Sequence, residues 1–397
     1  MKRRYDITIV GGGMVGLAVA GLLARNDDLS ITLLDSGQRP VFDVGNETSL
    51  RVSAIAPGSA EILAGIGAWP AIIDERACPY RAMKVWDAGG SVEGPEVLSF
   101  DAAEFGVAQL GYIVENQLIR HALLQVLDQT HVNVCFDTPI KSIDRSGRRF
   151  VIELESAGRL TPDLLVGADG ARSMVRGSAG IAITSWPHAQ QAFVTMLEPE
   201  FSHRSTAWQR FLKDGPIGLL PLSNGLLSIV WSTTQEQANA ALGMSDDELA
   251  AVLTRITGGV LGELRPAGSR GAFPLRSQLA ANYVQDGVAL VGDAAHSIHP
   301  LAGQGVNLGF ADAQSLANVV TDALSAGENP GDLPILRKYE RARKGINATM
   351  LHFMDGMNRL FSNDSEPLAR FRGAGMVLFN KSGPLRARVV ETALGIR

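Results

Sequence analysis

The stretch "YDITIVGGGMVGLAVAGLLARNDDLSITLLD", Tyr5 to Asp35, leaves this chain few folds to choose from. A β-branched run breaks at three glycines, a small apolar run at helical spacing follows, and a second β-branched run closes on an acid. This is the grammar of a βαβ unit. Gly11, Gly13 and Gly16 fit the spacing GxGxxG, and each has a mechanical task. The first allows the turn out of the strand, the second lets a pyrophosphate approach the backbone, and the third lets helix and strand pack closely. The helix amino terminus then meets phosphate charge with unpaired N–H groups. Asp35, at the end of the second strand, is placed to accept hydrogen bonds from a ribose. The motif predicts an ADP-containing cofactor and does not by itself separate NAD from FAD.

Length and charge narrow the class. With 397 residues, 46% of them hydrophobic and 19% charged, the chain suffices for two or three globular domains. A formal charge of −5 offers no polyanion-binding signature, so no nucleic-acid partner is expected. Cys78 and Cys135 are the only cysteines, which excludes a disulfide scaffold or a cysteine-based metal cluster, and no metal site is expected. No uninterrupted apolar run approaches the roughly 18 residues of a membrane span. A cytoplasmic location is the expectation, with peripheral attachment to the inner membrane left open.

Along the chain, "GSAEILAGIGAWPAII" and "VENQLIRHALLQVLDQ" read as helices, the second with Leu118, Ala122, Leu123, Val126 and Leu127 on one face. The stretch from Asn133 to Gly170 alternates like a small antiparallel sheet and ends in the apolar strand "LLVGADG". From about Trp186 to Gly271 the composition shifts to the strands "TAWQRFL", "IGLLPLS" and "LLSIVWSTT", then the helix "SDDELAAVLTRI". The strand-loop-helix grammar returns at "DGVALVGDAAHSIHPLAGQGVNLGFADAQSLANVV". The expected fold class is α/β: a discontinuous Rossmann-like cofactor domain (1–75, 101–182 and 272–345), a β-sheet substrate domain (76–100 and 183–271), and carboxyl-terminal helices (346–397).

Two later stretches complete the pattern. "LLVGADGARSMVR" carries Asp169, Gly170, Ser173 and Arg176; "VALVGDAAHSIHPLAGQGVNLG" carries Gly292, Asp293, Pro300, Gly303, Gln304, Gly305 and Asn307. With the glycine motif, these resemble the three fingerprints of the single-component FAD-dependent aromatic monooxygenases, in order and from end to end. The strings "LRVSAIA", "LGYIVEN" and "RLFSNDSEPLARFRGAGM" are similar to the ubiquinone-biosynthesis branch of that family.

The resemblance implies tightly bound FAD, with Asp293 on its ribityl chain. The "AGQG" helix would face the flavin pyrimidine edge, Pro300 would sit beside the ring, and Asp169, Arg176 and Arg51 would lie around the dinucleotide. Since GxGxxG occurs once, NAD(P)H would be a transient co-substrate that reduces the flavin and leaves. Oxygen from O2 would then pass, by way of the flavin C4a position, to the ring of a polyprenylated phenol or benzoquinol. The difficult chemistry belongs to the cofactor. Two alternatives stay open: a hydroxylase of a small soluble aromatic compound, and a non-catalytic flavin-binding scaffold of the ubiquinone pathway.

His296, His299 and Pro300 are weak catalytic candidates, because an imidazole titrates near neutrality yet in such a loop more often ties down backbone. "WQRFLKDGPIGLLPL" and Trp231 are candidate cavity linings. The stripe Met350, Phe353, Met354, Met357, Leu360 and Phe361, followed by Arg370, Arg372, Lys381, Arg386 and Arg388, suits either anionic lipid or a helix packed on the cofactor domain or a second subunit. Contacts with other pathway proteins, the oligomeric state, the ring carbon attacked and the choice of NADH or NADPH are not legible in the sequence.

Overall fold

Strand Tyr5–Val10 is buried on both faces from Ile7 to Val10, with Ile7 and Ile9 essentially inaccessible, as expected of a strand whose sheet is covered on both sides. In the computed structural model, which describes residues 4–43, 45, 48–298, 305–362 and 366–395, it lies inside a six-stranded sheet. The order is Val284–Gln285, Val288–Leu290, Leu164–Gly167, Tyr5–Val10, Leu29–Leu34 and Asn133–Cys135, all parallel except for the short antiparallel edge pair at Val284–Leu290. Helices Met14–Leu23, Asn116–Leu127 and Gly305–Ser325 pack against this sheet, and their buried faces make the largest core.

A second, eight-stranded sheet runs in the order His296–Ser297, Leu264–Ala280, Ile183–Pro199, Leu227–Thr234, Gly215–Pro221, Thr206–Leu212, Ala82–Asp87 and Leu98–Asp101. Its spine is a pair of 17-residue antiparallel strands, Ile183–Pro199 and Leu264–Ala280, whose register shifts near Pro187 and near Thr195. Helices Gln235–Gly243 and Asp246–Thr257 close a separate core with Phe193, Leu197 and Ile229. Small three-stranded sheets are formed by Val52–Ile55, Gly111–Glu115 and Cys78–Tyr80, and by Ile140–Ser146, Arg149–Leu154 and Arg159–Leu160.

Several expectations shift. "GSAEILAGIGAWPAII" forms two helices, Pro57–Ile66 and Trp69–Glu75, because Gly67 ends the first in the left-handed conformation at φ 103°. The expected boundary at 272 falls inside the strand Leu264–Ala280, and that at 346 inside the helix Leu333–Phe361. In both places backbone hydrogen bonding continues where the composition changes. Trp231 is packed edge-on against Phe193, at 6.3 Å and 80°, in the core below the second sheet, away from the lining of the apolar cavity beside Ala56. Met354, Met357, Leu360 and Phe361 pack on Val85, Phe211 and Met376 of the second sheet and the Glu366–Asn380 helix, while the Leu333–Phe361 helix that carries them also packs on the Gly305–Ser325 helix of the cofactor domain. Among the basic residues after them, Arg372 bonds Asp87 and Arg386 pairs with Glu104, so both point inward.

Candidate active site

The three fingerprints converge because each ends a neighbouring parallel strand. Val10, Gly167 and Leu290 finish their strands side by side, delivering Gly11, Asp169 and Asp293 to one edge of the sheet. That edge, outside the carboxyl ends of the strands where the order reverses, is the usual ligand crevice of an open α/β sheet. A second contact joins the two halves of the site. Val15 of the first helix packs so closely on Gly292 and Gly309 that a Cβ on Gly309 would meet its Cγ2 at 2.5 Å.

The glycines divide by what surrounds them. Gly11 sits at φ 112°, and a side chain there would overlap the Ala168 carbonyl; one on Gly16 would overlap the Gly11 carbonyl. Both are required by the fold itself. A Cβ on Gly13 would meet no atom within 4 Å. The open space over the backbone at the start of the Met14–Leu23 helix fits a pyrophosphate.

Asp35 accepts from Gly12 N at 2.6 Å and Gly37 N at 2.7 Å, which fixes the carboxylate beside the turn and leaves each oxygen a further lone pair. Arg120, which the sequence reading did not single out, reaches from the Asn116–Leu127 helix to donate to the Gly12 carbonyl at 3.1 Å.

Other expected residues are braces. Asp169 accepts from Ser173 Oγ at 2.5 Å and Val175 N at 3.1 Å, capping the Met174–Ser178 helix. Arg176, buried, donates to the Ala294 and Ala171 carbonyls at 2.8 and 2.9 Å, locking the Asp169-Gly170 turn to the Gly292-Asp293 turn. Asn307 spends both ends of its amide on backbone: Nδ2 donates to Ala54 O at 2.8 Å, and Oδ1 accepts from Ala56 N at 3.0 Å. Asp293 and Arg51 are different, since both side chains stay accessible. Asp293 lies in a hollow where the surrounding protein raises its carboxyl pKa, against the pull of His296 and Arg51. Gly305 opens the Gly305–Ser325 helix; His299, Pro300, Gly303 and Gln304 lie outside the described residues.

His296 is not a free acid-base group. It is 2% exposed, stacks on Tyr283 at 5.8 Å, and its Nε2 faces Asp312 Oδ2 at 2.5 Å, where a carboxylate can only accept. Asp312 is the hub that the sequence reading missed. The same Oδ2 accepts from Gly292 N at 3.2 Å, and Oδ1 accepts from Arg343 Nε at 2.8 Å and Asn347 Nδ2 at 2.9 Å. Burial pushes this carboxyl up, but His296 and Arg343 outweigh it and hold the pKa below the usual range. The Gly292–Ala294 turn that presents Asp293 is thus held from behind by a fully satisfied buried carboxylate.

Beside the Asn307-pinned segment lies an apolar cavity of about 440 Å³, within the range of small-molecule sites. Ala56, Tyr80 and Leu110 wall it on one side, and Phe353, Met357, Met376 and Val389 of the carboxyl-terminal helices on another. Phe353 and Val389 are also 53% and 41% exposed, so the cavity reaches the surface there.

A glycine-cradled helix start, an accessible Asp293 at the neighbouring strand end and an apolar cavity are features that fit a single-chain FAD-dependent monooxygenase. The comparisons agree. Residues 4–354 match the family model described as an FAD binding domain. Among curated proteins, the chain is 37% identical over 393 residues to the 3-demethoxyubiquinol 3-hydroxylase of Escherichia coli, covering 98% of both chains. It is 36% identical over 438 residues to the mitochondrial ubiquinone biosynthesis monooxygenase COQ6 of Homo sapiens, covering 98% of this chain and 92% of that one. The crystal structure of p-nitrophenol 4-monooxygenase PnpA from Pseudomonas putida shares the fold, with a TM-score of 0.76 at 18% identity over 99% of this chain and 97% of that one. The chain belongs to the ubiquinone-biosynthesis branch of the FAD-dependent monooxygenases.

Proposed function

We propose that this enzyme uses NAD(P)H and O2 to hydroxylate the aromatic ring of a polyprenylated phenol or benzoquinol. The observation that carries the substrate class is the cavity: its walls are hydrocarbon apart from Tyr80 and Arg372, and it adjoins the strand end pinned by Asn307. Arg372 is already engaged, donating to Asp87 at 2.8 and 3.1 Å and to the Leu360 carbonyl at 3.0 Å. An isoprenoid chain loses no hydrogen bonds on entering such a space and gains roughly 25 cal/mol per Å² of apolar surface removed from water.

When bound, FAD supplies the hydride acceptor and the oxygen-activating centre. The chain's own residues hold and shield it. Gly13 would leave room for the pyrophosphate, Asp35 would offer acceptors to the ribose and Asp293 to the ribityl hydroxyls, and the amino terminus of the Gly305–Ser325 helix would offer N–H groups to the flavin. The apolar walls keep water from the ring to be oxidised. Among the described residues no helix is long and apolar enough to cross a membrane, and delivery of the tail from a lipid surface is supported by the exposure of Phe353 and Val389. Holoenzyme assayed for substrate-stimulated NAD(P)H oxidation is expected to respond to prenylated phenols. Stimulation by water-soluble phenols alone would overturn the substrate class and favour a hydroxylase of small aromatics.

A further inference from the structure

Resting on that reading, we propose that the Tyr80 hydroxyl is the donor that fixes the ring oxygen of the substrate against the Asn307-pinned wall of the cavity. Tyr80 is 7% exposed and lines the cavity, yet its hydroxyl makes no hydrogen bond with another described residue. A hydroxyl with no protein partner in an otherwise apolar lining keeps a donor to offer, and an acceptor on a ligand can take it. The other polar side chain in the lining, Arg372, is committed to Asp87 and Leu360 O, which leaves Tyr80 as the group with hydrogen-bonding capacity to offer.

Position selects the ring over the tail. Tyr80 pairs with Gly111 across the small sheet, and a Cβ on Gly111 would come within 2.8 Å of the Tyr80 hydroxyl and 2.7 Å of the Ile55 carbonyl. The missing side chain makes the room in which the phenol lies beside the Ile55–Ala56 backbone. Asn307, in the first turn of the Gly305–Ser325 helix, grips that backbone on both sides of Ile55. The hydroxyl is therefore beside the strand end that the cofactor-facing helix fixes. Burial also raises the phenol pKa to about 12, so it remains a donor throughout the neutral range. A phenol, quinol or aryl ether oxygen accepts such a bond, whereas an isoprenoid chain does not.

The test is titration of holoprotein, followed by perturbation of the flavin absorbance, with three probes sharing one farnesyl chain: the phenol, its methyl ether and the benzene lacking oxygen. Wild type is expected to bind the phenol and the ether about tenfold more tightly than the benzene, the fold-change of one buried hydrogen bond. Tyr80→Phe should bind all three like the benzene while its FAD content stays unchanged. Retention of the oxygen preference by Tyr80→Phe overturns the anchor and leaves the substrate class standing. Wild type that binds the ether as weakly as the benzene also overturns it, whether or not the variant folds. Binding of none of the prenylated probes by wild type removes the substrate class and the anchor together.

Discussion

At the residue scale, the glycine motif and the strand-end acid test different things. Gly11 and Gly16 are demanded by their own backbone neighbours, whereas Gly13 faces open space. Gly13→Ala should leave the thermal stability of the apoprotein within about 0.5 kcal/mol, the scale of an uncomplicated surface change, while FAD affinity measured by fluorescence titration falls at least about tenfold. Asp293→Ala should weaken FAD retention by roughly 1 to 3 kcal/mol in the same titration, the range for a lost charge-assisted bond. Unchanged affinity in either variant would remove that residue from the cofactor site. The glycine spacing placed Gly13 at the sheet edge, while Asp293 entered through the resemblance of its stretch to a family fingerprint. The internal commitments of Asp169, Arg176 and Asn307 were not legible, since each partner is a backbone or hydroxyl group that only the fold brings near. Tyr80 gave no signal either, because a tyrosine in a short strand reads as core.

At the scale of elements, the Gly292–Ala294 turn depends on two helices remote from it in sequence, through Asp312 and Arg343. Asp312→Ala leaves a half-buried guanidinium and a buried imidazole facing an empty place. It should cost about 3 to 5 kcal/mol in urea unfolding, the usual result of removing one partner of a buried pair. The pH dependence has a definite sign. With its folded pKa held below the ordinary value near 3.9, Asp312 contributes stability that is fully present above that pH and is lost as pH falls through the lower folded value. Asp312→Asn should therefore lose less stability than wild type on acidification below about pH 4. An equal loss in both proteins would show that the Asp312 carboxylate does not set the acid limb. A lone acid inside "GVNLGFADAQSLANVV" was a readable hint of such a hub. The two 17-residue strands were harder to see, because Pro187, Pro266, Gly268 and Pro274 break the alternation that normally marks a strand and the register shifts absorb them.

For the whole molecule, the fold class and cofactor were readable because three fingerprints fix three strand ends of one sheet. The apolar cavity was not, because its walls come from segments as distant in sequence as Ala56 and Val389. The apolar stripe of the Leu333–Phe361 helix shows the limit well: helical spacing identified its face, while the partner it covers is set by tertiary packing. Together these elements place a cofactor crevice beside a hydrocarbon-lined space, which is what oxidation of a prenylated ring requires. The most direct measurement is turnover of holoenzyme with NAD(P)H, a farnesylated phenol and ¹⁸O2, followed by mass spectrometry of the product. One labelled oxygen on the ring, with its formation tracking NAD(P)H oxidation, is the expected result; oxidation that yields only hydrogen peroxide and leaves the prenylated ring unlabelled would contradict it.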